Sequence, residues 1–262
     1  MGRVIFIGAG PGAADLITVR GAQRLALADV VLFDALTDPA LRVYAPKAQW
    51  VDVGKRGFSS ALPGQGSTAQ ERINALLVYH ALECNVVVRL KGGDPSVFGR
   101  LEEELEALAA ACIDAEVVPG VTAAMAAAAA RLRPLTRRGS GRSVSLSTAM
   151  TREGTLQATR SADTEVFYMA GRQLAALARR LVAAGWSADT PVSVTSRAGW
   201  PDELHTDHTV QGLAGATVVH AGRPTVVTVG AGATAAVATA DPTAEAPAAG
   251  SPPSNRDAPL TL

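Results

Sequence analysis

Where apolar runs stop in this chain, the same small set of residues recurs: glycine, proline and an occasional aspartate. The run Val87-Val88-Arg89-Leu90-Lys91 ends abruptly at Gly92-Gly93-Asp94-Pro95. Two glycines let a backbone take positive φ and come very close to a ligand, while Pro95 forbids continuing the strand. Asp94 adds an acceptor at the bend. Gly8-Ala9-Gly10-Pro11-Gly12 follows the apolar run Arg3 to Ile7 in the same way, and Pro119-Gly120-Val121-Thr122 and Tyr168-Met169-Ala170-Gly171 make two further turns at strand ends. Each offers backbone N–H and C=O groups where side chains are small. A ligand held by such turns is polar along one edge and flat on another, as a nucleoside is. The carboxyl ends of strands in an α/β sheet are where small ligands usually bind. Gly-Gly-Asp-Pro alone is explained equally well as a tight surface turn; its companions favour a site.

Better-known glycine motifs fit poorly. Gly8 and Gly10 match the first two positions of the dinucleotide fingerprint G-x-G-x-x-G, but Pro11-Gly12-Ala13 leaves no third glycine in place. No acidic residue stands where a ribose partner would, unless Asp34 takes that part. No Gly-Lys-Ser/Thr follows either turn, which argues against a phosphate-binding loop. Cys84 and Cys112 sit in neither a metal-ligand nor a redox spacing and read as buried free thiols.

The elements that must position these turns alternate. Arg3 to Ile7, Val30 to Phe33, Trp50 to Val53, Val86 to Leu90 and Ala115 to Val118 read as strands; Asp15 to Leu27, Thr68 to Leu82 and Leu101 to Ala111 read as helices. Ser67 or Thr68 would cap the second helix, and residues 54–66, rich in Gly and Ser, read as a mobile loop. This alternation predicts an α/β domain with a largely parallel sheet over residues 1–121. The alanine run Ala123 to Ala130 reads as a buried helix. Strands at Ser143 to Ser147, Glu165 to Met169, Val192 to Thr195 and Thr225 to Val229, with a helix at Gln173 to Ala184, predict a second α/β domain over 122–230. The Ala/Pro/Thr/Ser-rich stretch 231–262 reads as a disordered tail.

The chain has 262 residues, of which 48% are hydrophobic, enough to build sizeable cores. Its formal net charge of zero gives no general reason to bind nucleic acid or an anionic membrane. No apolar run is long enough for a signal peptide or a membrane span, so a soluble, cytoplasmic protein is expected.

The turns taken in order closely resemble one family. Gly8 to Gly12 with Leu16-Ile17-Thr18, Ala28 to Asp34, Val53-Gly54-Lys55-Arg56, Ile73 to Leu77, Arg89 to Arg100 and Val117 to Thr122 are similar to the uroporphyrinogen-III C-methyltransferases of the tetrapyrrole methylase superfamily. The likeness continues more weakly through Phe167-Tyr168-Met169 and covers about residues 3 to 230. It implies two α/β domains with a cleft between them, S-adenosylmethionine as cofactor, and a homodimer. It also implies that Pro11, Gly92, Gly93, Asp94, Val97, Thr122, Ala123 and Met169 contact the cofactor, as does Ala198, which stands where the family usually has glycine. Asp34 matches the family's proposed proton acceptor and Lys55 its proposed proton donor; read without the resemblance, Asp34 is equally a helix cap and Lys55 a solvated loop lysine. A sulfonium methyl is already electrophilic, so positioning and a proton acceptor suffice, and no metal is required.

Substrate-side segments depart from the family. Ala13 replaces its Asp, residues 57–72 form a longer loop without its His, and Ala130 to Arg138 and Thr148-Ala149-Met150 replace two more of its segments. Kept cofactor turns with altered acceptor positions point to the same donor and a different ring. The preferred acceptor is indole C3 of a tryptamine-like metabolite, as in physostigmine-type alkaloid pathways; the alternative is uroporphyrinogen III, whose carboxylates the arginines from Arg131 to Arg142 could meet. A leucine-, phenylalanine- or methionine-lined pocket would favour indole and inward arginines the tetrapyrrole. A non-catalytic protein that binds S-adenosylmethionine is the alternative of another class.

Overall fold

The computed structural model describes residues 2–54, 69–149 and 156–236. The expected cap at Ser67 or Thr68 and the loop after Gly54 lie outside them. The first half forms β1 (Arg3–Gly8), α1 (Val19–Leu25), β2 (Val30–Phe33), β3 (Gln49–Asp52), α2 (Ala69–Glu83), β4 (Val86–Lys91), α3 (Leu101–Ala110) and β5 (Asp114–Val118). The five strands make one sheet in the order β3-β2-β4-β1-β5, and every pairing in it is parallel. Alternate side chains of these strands go to opposite faces. Val4, Phe6, Leu32 and Val87 pack with Leu77 of α2 and Leu108 of α3; Ile5, Ile7, Val31, Val88 and Leu90 pack with Leu25 of α1.

The second half forms α4 (Ala123–Ala130), β6 (Val144–Thr148), β7 (Thr164–Tyr168), α5 (Leu174–Ala183), β8 (Pro191–Ser196), β9 (Leu204–Thr209), α6 (Thr217–His220) and β10 (Thr225–Gly230). Its sheet runs β6-β7-β10-β8-β9 and is mixed: β6 and β7 are parallel and the other pairs antiparallel. Phe167, Val194, Val227 and Val229 pack on Leu174, Leu177 and Leu181 of α5. Val166, Tyr168 and Val226, on the other face, pack with Ala124 of α4. The boundary drawn at residue 121 falls in the turn before α4. Among the described residues no helix is long and apolar enough to cross a membrane.

Several local expectations are corrected. The helix expected over Asp15 to Leu27 is a 3₁₀ turn at Ala14–Leu16 followed by α1, because Thr18 takes an extended conformation and its hydroxyl accepts the Gly21 N–H at 3.0 Å, starting the helix there. Strand β9, whose sequence is Leu-His-Thr-Asp-His-Thr, has no apolar alternation because it is an edge strand with only one paired side. The alanine helix α4 buries Ala124 and Ala127 but leaves Met125 exposed. Cys84 is half-buried and Cys112 exposed, so neither is the buried thiol expected. Ala231–Ala233, read from composition as the start of the tail, make a 3₁₀ turn packed on β7, with Gly232 N–H donating to Thr164 Oγ1 at 2.8 Å and Ala231 N–H to Asp163 O at 2.9 Å. Residues 237–262 lie outside the described residues.

Three turns leave the same edge of the first sheet and touch. Gly93 N–H donates to Gly10 O at 2.7 Å and Gly10 N–H to Gly93 O at 3.3 Å. Asp94 receives Ser96 N–H on Oδ1 at 2.8 Å and Gly120 N–H on Oδ2 at 2.9 Å. A Cβ on Gly120 would stand 2.3 Å from Gly93 O, and one on Gly8 would stand 2.5 Å from Gly120 Cα. Backbone there has no room to give. Gly120→Ala is therefore expected to cost several kcal/mol in urea unfolding, at the upper end of single substitutions, roughly 3 kcal/mol or more. Gly215→Ala, where nothing lies within 4 Å, should stay within about 0.5 kcal/mol of the parent. Equal, small losses would contradict the close-approach argument.

Candidate active site

The touching turns form one wall of a cavity of about 300 Å³, at the low end of the roughly 300–1,000 Å³ typical of small-molecule sites. The opposite wall comes from the second sheet, through Tyr168 and Met169 at the end of β7, Thr195 at the end of β8 and Pro224, Thr225 and Val226 at the start of β10. The two halves are joined beside it: Ala13 N–H donates to Gly199 O at 2.7 Å, and a Cβ on Gly12 would lie 2.4 Å from Gly199.

Pro11, Asp34, Gly92, Gly93, Asp94, Val97, Thr122, Ala123, Met169 and Ala198 all line this one cavity. Lys55 lies outside the described residues. The arginines from Arg131 to Arg142 are absent from the lining. Arg133 instead pairs with Asp207 of β9, and Arg137 donates to the Thr234 carbonyl.

Asp34 is not a helix cap. Its Oδ1 accepts Leu36 N–H at 3.0 Å and lies 3.4 Å from the Thr37 hydroxyl, closing a turn. The 3₁₀ helix that follows is capped by Asp38, whose Oδ1 accepts Ala40 N–H at 2.9 Å. The Asp34 side chain is 29% exposed, and its Oδ2 stands 3.9 Å from Arg89 Nη1. Asp94 has a different part in the wall: both its oxygens hold backbone N–H groups, so it shapes the turn whatever else it meets.

Several lining residues carried no sequence signal as site residues. The Phe98 ring stands 5.1 Å from that of Tyr168, centroid to centroid, and the Tyr168 hydroxyl is 2.7 Å from Thr122 Oγ1. Burial pushes the Tyr168 phenol above its ordinary pKa. Arg197 lies over the Trp200 ring at 4.3 Å. Phe98, Arg100, Met169 and Arg197 all have φ between 53° and 58°. That region costs a side-chain-bearing residue of order 1–2 kcal/mol, and such strain gathers at functional sites. Arg89 and Lys91 were legible as part of a motif but not as lining residues. The wall is thus mixed: Leu36, Val97, Phe98, Met169 and Trp200 are apolar, while Asp34, Arg89, Lys91, Arg100 and Arg197 bring charge.

The donor and acceptor groups suit a flat ligand with one charged part. Gly92 and Gly93 bring bare backbone to the cavity, Gly93 at φ +72°. Val97 and Met169 supply apolar surface for a ring, and Asp34 supplies an anion at the end of β2.

Comparison with known proteins places the chain. The family of Tetrapyrrole (Corrin/Porphyrin) Methylases matches residues 3–214. A uroporphyrinogen-III C-methyltransferase of Pseudomonas aeruginosa is 43% identical over 201 residues, 75% of this chain and 80% of that protein. A siroheme synthase of Edwardsiella ictaluri is 43% identical over 198 residues, but those span 74% of this chain and only 42% of that longer protein. Among solved structures, a uroporphyrin-III C-methyltransferase of Thermus thermophilus in complex with S-adenosylhomocysteine superposes with a TM-score of 0.74 at 33% identity, covering 87% of this chain and 97% of that one. With strand-end turns, cavity and matched span in agreement, this chain belongs to the tetrapyrrole (corrin/porphyrin) methylases and is a methyltransferase.

Proposed function

We propose that this enzyme transfers methyl groups from S-adenosylmethionine to ring carbons of uroporphyrinogen III. The observation that carries the reading is the single cavity in which the glycine turns of the first sheet face Met169 and Arg197 of the second, with Asp34 at its edge. Likeness to uroporphyrinogen-III C-methyltransferases over three quarters of the chain supports the acceptor. The indole C3 preference rested on departures at Ala13 and at residues 57–72, 130–138 and 148–150. Most of the first segment and Met150 lie outside the described residues, Ala13, residues 130–138 and residues 148–149 do not line the cavity, and the relatives reported above act on tetrapyrroles. That preference is set aside. The homodimer implied by the resemblance remains part of the proposal.

The residues present fit S-adenosylmethionine. Gly92 and Gly93 leave room for backbone contact with polar groups, Val97, Thr122, Ala123 and Met169 would hold the molecule from both sides, and Pro11, Asp94 and Ala198 would complete the wall. When bound, S-adenosylmethionine supplies a methyl group on a sulfonium, which departs as a neutral thioether once the new carbon–carbon bond forms. The chain's task is alignment and proton removal. A pyrrole carbon that gains a methyl leaves its ring cationic, and loss of a ring proton restores neutrality. Asp34 is the carboxylate at the cavity edge able to take that proton, and Arg89 stands behind it. Lys55 is proposed as the proton donor on the resemblance alone. Alignment supplies much of the rate, since the methyl needs no further activation.

Incubation with S-adenosylmethionine and uroporphyrinogen III should yield methylated tetrapyrrole with stoichiometric S-adenosylhomocysteine, followed by mass spectrometry. Turnover of indoles and none of uroporphyrinogen III would reverse the assignment. Asp34→Asn should lower kcat by roughly a hundredfold or more, the usual scale for a lost general base, with S-adenosylhomocysteine affinity preserved. Unchanged turnover would remove Asp34 from the mechanism.

A further inference from the structure

Directly beneath the Gly92–Gly93 turn lies a buried charge cluster of Arg89, Lys91 and Glu104. Glu104, on α3, is fully buried, where a carboxylate is found only when paired. Its Oε1 accepts Arg89 Nε at 3.0 Å and its Oε2 accepts Lys91 Nζ at 2.5 Å. Gln70 Nε2 reaches the same Oε1 at 3.4 Å. Arg89 and Lys91 are themselves 4% and 3% exposed. They sit two residues apart on β4, so both point to the face that Val87 shares with α2 and α3. Burial and the neighbouring Arg89 pull the Lys91 ammonium below the usual lysine range.

The far end of Arg89 is fixed as tightly. Its Nη1 donates to Leu90 O at 3.0 Å and lies 3.5 Å from Leu32 O. A guanidinium is planar, so holding Nε on Glu104 and Nη1 on these carbonyls leaves it one orientation. In that orientation Nη1 stands 3.9 Å from Asp34 Oδ2. The other charged side chains lining the cavity have their own partners: Arg100 pairs with Glu103, Arg197 with Asp202, and Asp94 holds backbone N–H groups. Asp34 Oδ1 is taken by Leu36 N–H, which leaves Oδ2 to Arg89.

We propose that Glu104 and Arg89 are positioning residues for methyl transfer: Glu104 orients the Arg89 guanidinium, and Arg89 orients the Asp34 carboxylate toward the acceptor. Neither touches substrate or cofactor in this scheme; they act through Asp34. The inference rests on the reading of Asp34 as proton acceptor.

The test is a double-mutant cycle on the full chain, with uroporphyrinogen III as acceptor and S-adenosylhomocysteine as the binding probe. Arg89→Lys keeps a buried cation for Glu104 but removes the fork that reaches Asp34. It should lower kcat at least about tenfold, while the Kd for S-adenosylhomocysteine and the KM for S-adenosylmethionine stay within about twofold. Added to Asp34→Asn, it should lower kcat no further, because its effect passes through the missing carboxylate. Glu104→Gln should reproduce the kcat loss of Arg89→Lys; if it proves unfolded by circular dichroism, Arg89→Lys decides alone. An Arg89→Lys effect that multiplies with Asp34→Asn, or a cofactor affinity that falls in step with kcat, would overturn the proposal in favour of plain structural support. Wild-type turnover by Asp34→Asn would instead overturn the reading of Asp34 as base, and the inference with it.

Discussion

Three backbone turns at one edge of the first sheet approach more closely than any side chain would permit, and the site depends on that contact. Backbone atoms of neighbouring turns stand where a Cβ on Gly8 or Gly120 would have to be, the Gly93 carbonyl among them, and Gly93 itself is held at φ +72°. The hydrogen bonds between Gly10 and Gly93, and from Gly120 to Asp94, close the arrangement. The parallel order β3-β2-β4-β1-β5 makes it possible, because it brings the carboxyl ends of β4, β1 and β5 side by side. A fused backbone wall of this kind presents fixed dipoles to a ligand with little entropy left to lose on binding.

The second half completes the cavity by a different device. Its sheet is mixed, and it meets the first half through Gly12 and Gly199. Where the first wall uses glycine to bring backbone close, the second holds Met169 and Arg197 in left-handed conformations, as the β4–α3 loop of the first half holds Phe98 and Arg100. Packing of Tyr168 against Phe98 and its hydrogen bond to Thr122 hold these loops in place. The cavity is thus lined by turns fixed through backbone contact and by loops of both halves held in left-handed conformations, with the charged cluster of Arg89, Lys91 and Glu104 buried below it.

Much of this was legible in the sequence, for identifiable reasons. Val4 to Ile7 is a continuous apolar run, and Val87 to Leu90 is one broken only by Arg89, because both faces of a parallel strand are buried. The turn at Gly92 was legible because a left-handed φ such as that of Gly93 favours glycine, and the type of residue reveals it. Phe98, Arg100, Met169 and Arg197 were opaque as strained positions, since nothing in their chemistry announces a positive φ. Edge strand β9 was hidden by its polar composition. The apolar spacing of Leu16 and Ile17 masked the helix start that Thr18 sets. Glu104 looked like one more surface residue of an acidic helix; its burial follows from two basic side chains on β4 that helical periodicity cannot see. The indole preference read departures as changes in the acceptor pocket, yet Ala13, residues 130–138 and residues 148–149 are absent from the cavity lining.

In the proposed arrangement the fused glycine turns and Met169 hold S-adenosylmethionine between them with its reacting end toward Asp34. A crystal structure of the protein with S-adenosylhomocysteine tests this most directly. The adenosyl group should lie between the Gly92–Gly93 turn and Met169, with the sulfur on the Asp34 side of the cavity. Binding of S-adenosylhomocysteine elsewhere, with this cavity left empty, would contradict the account.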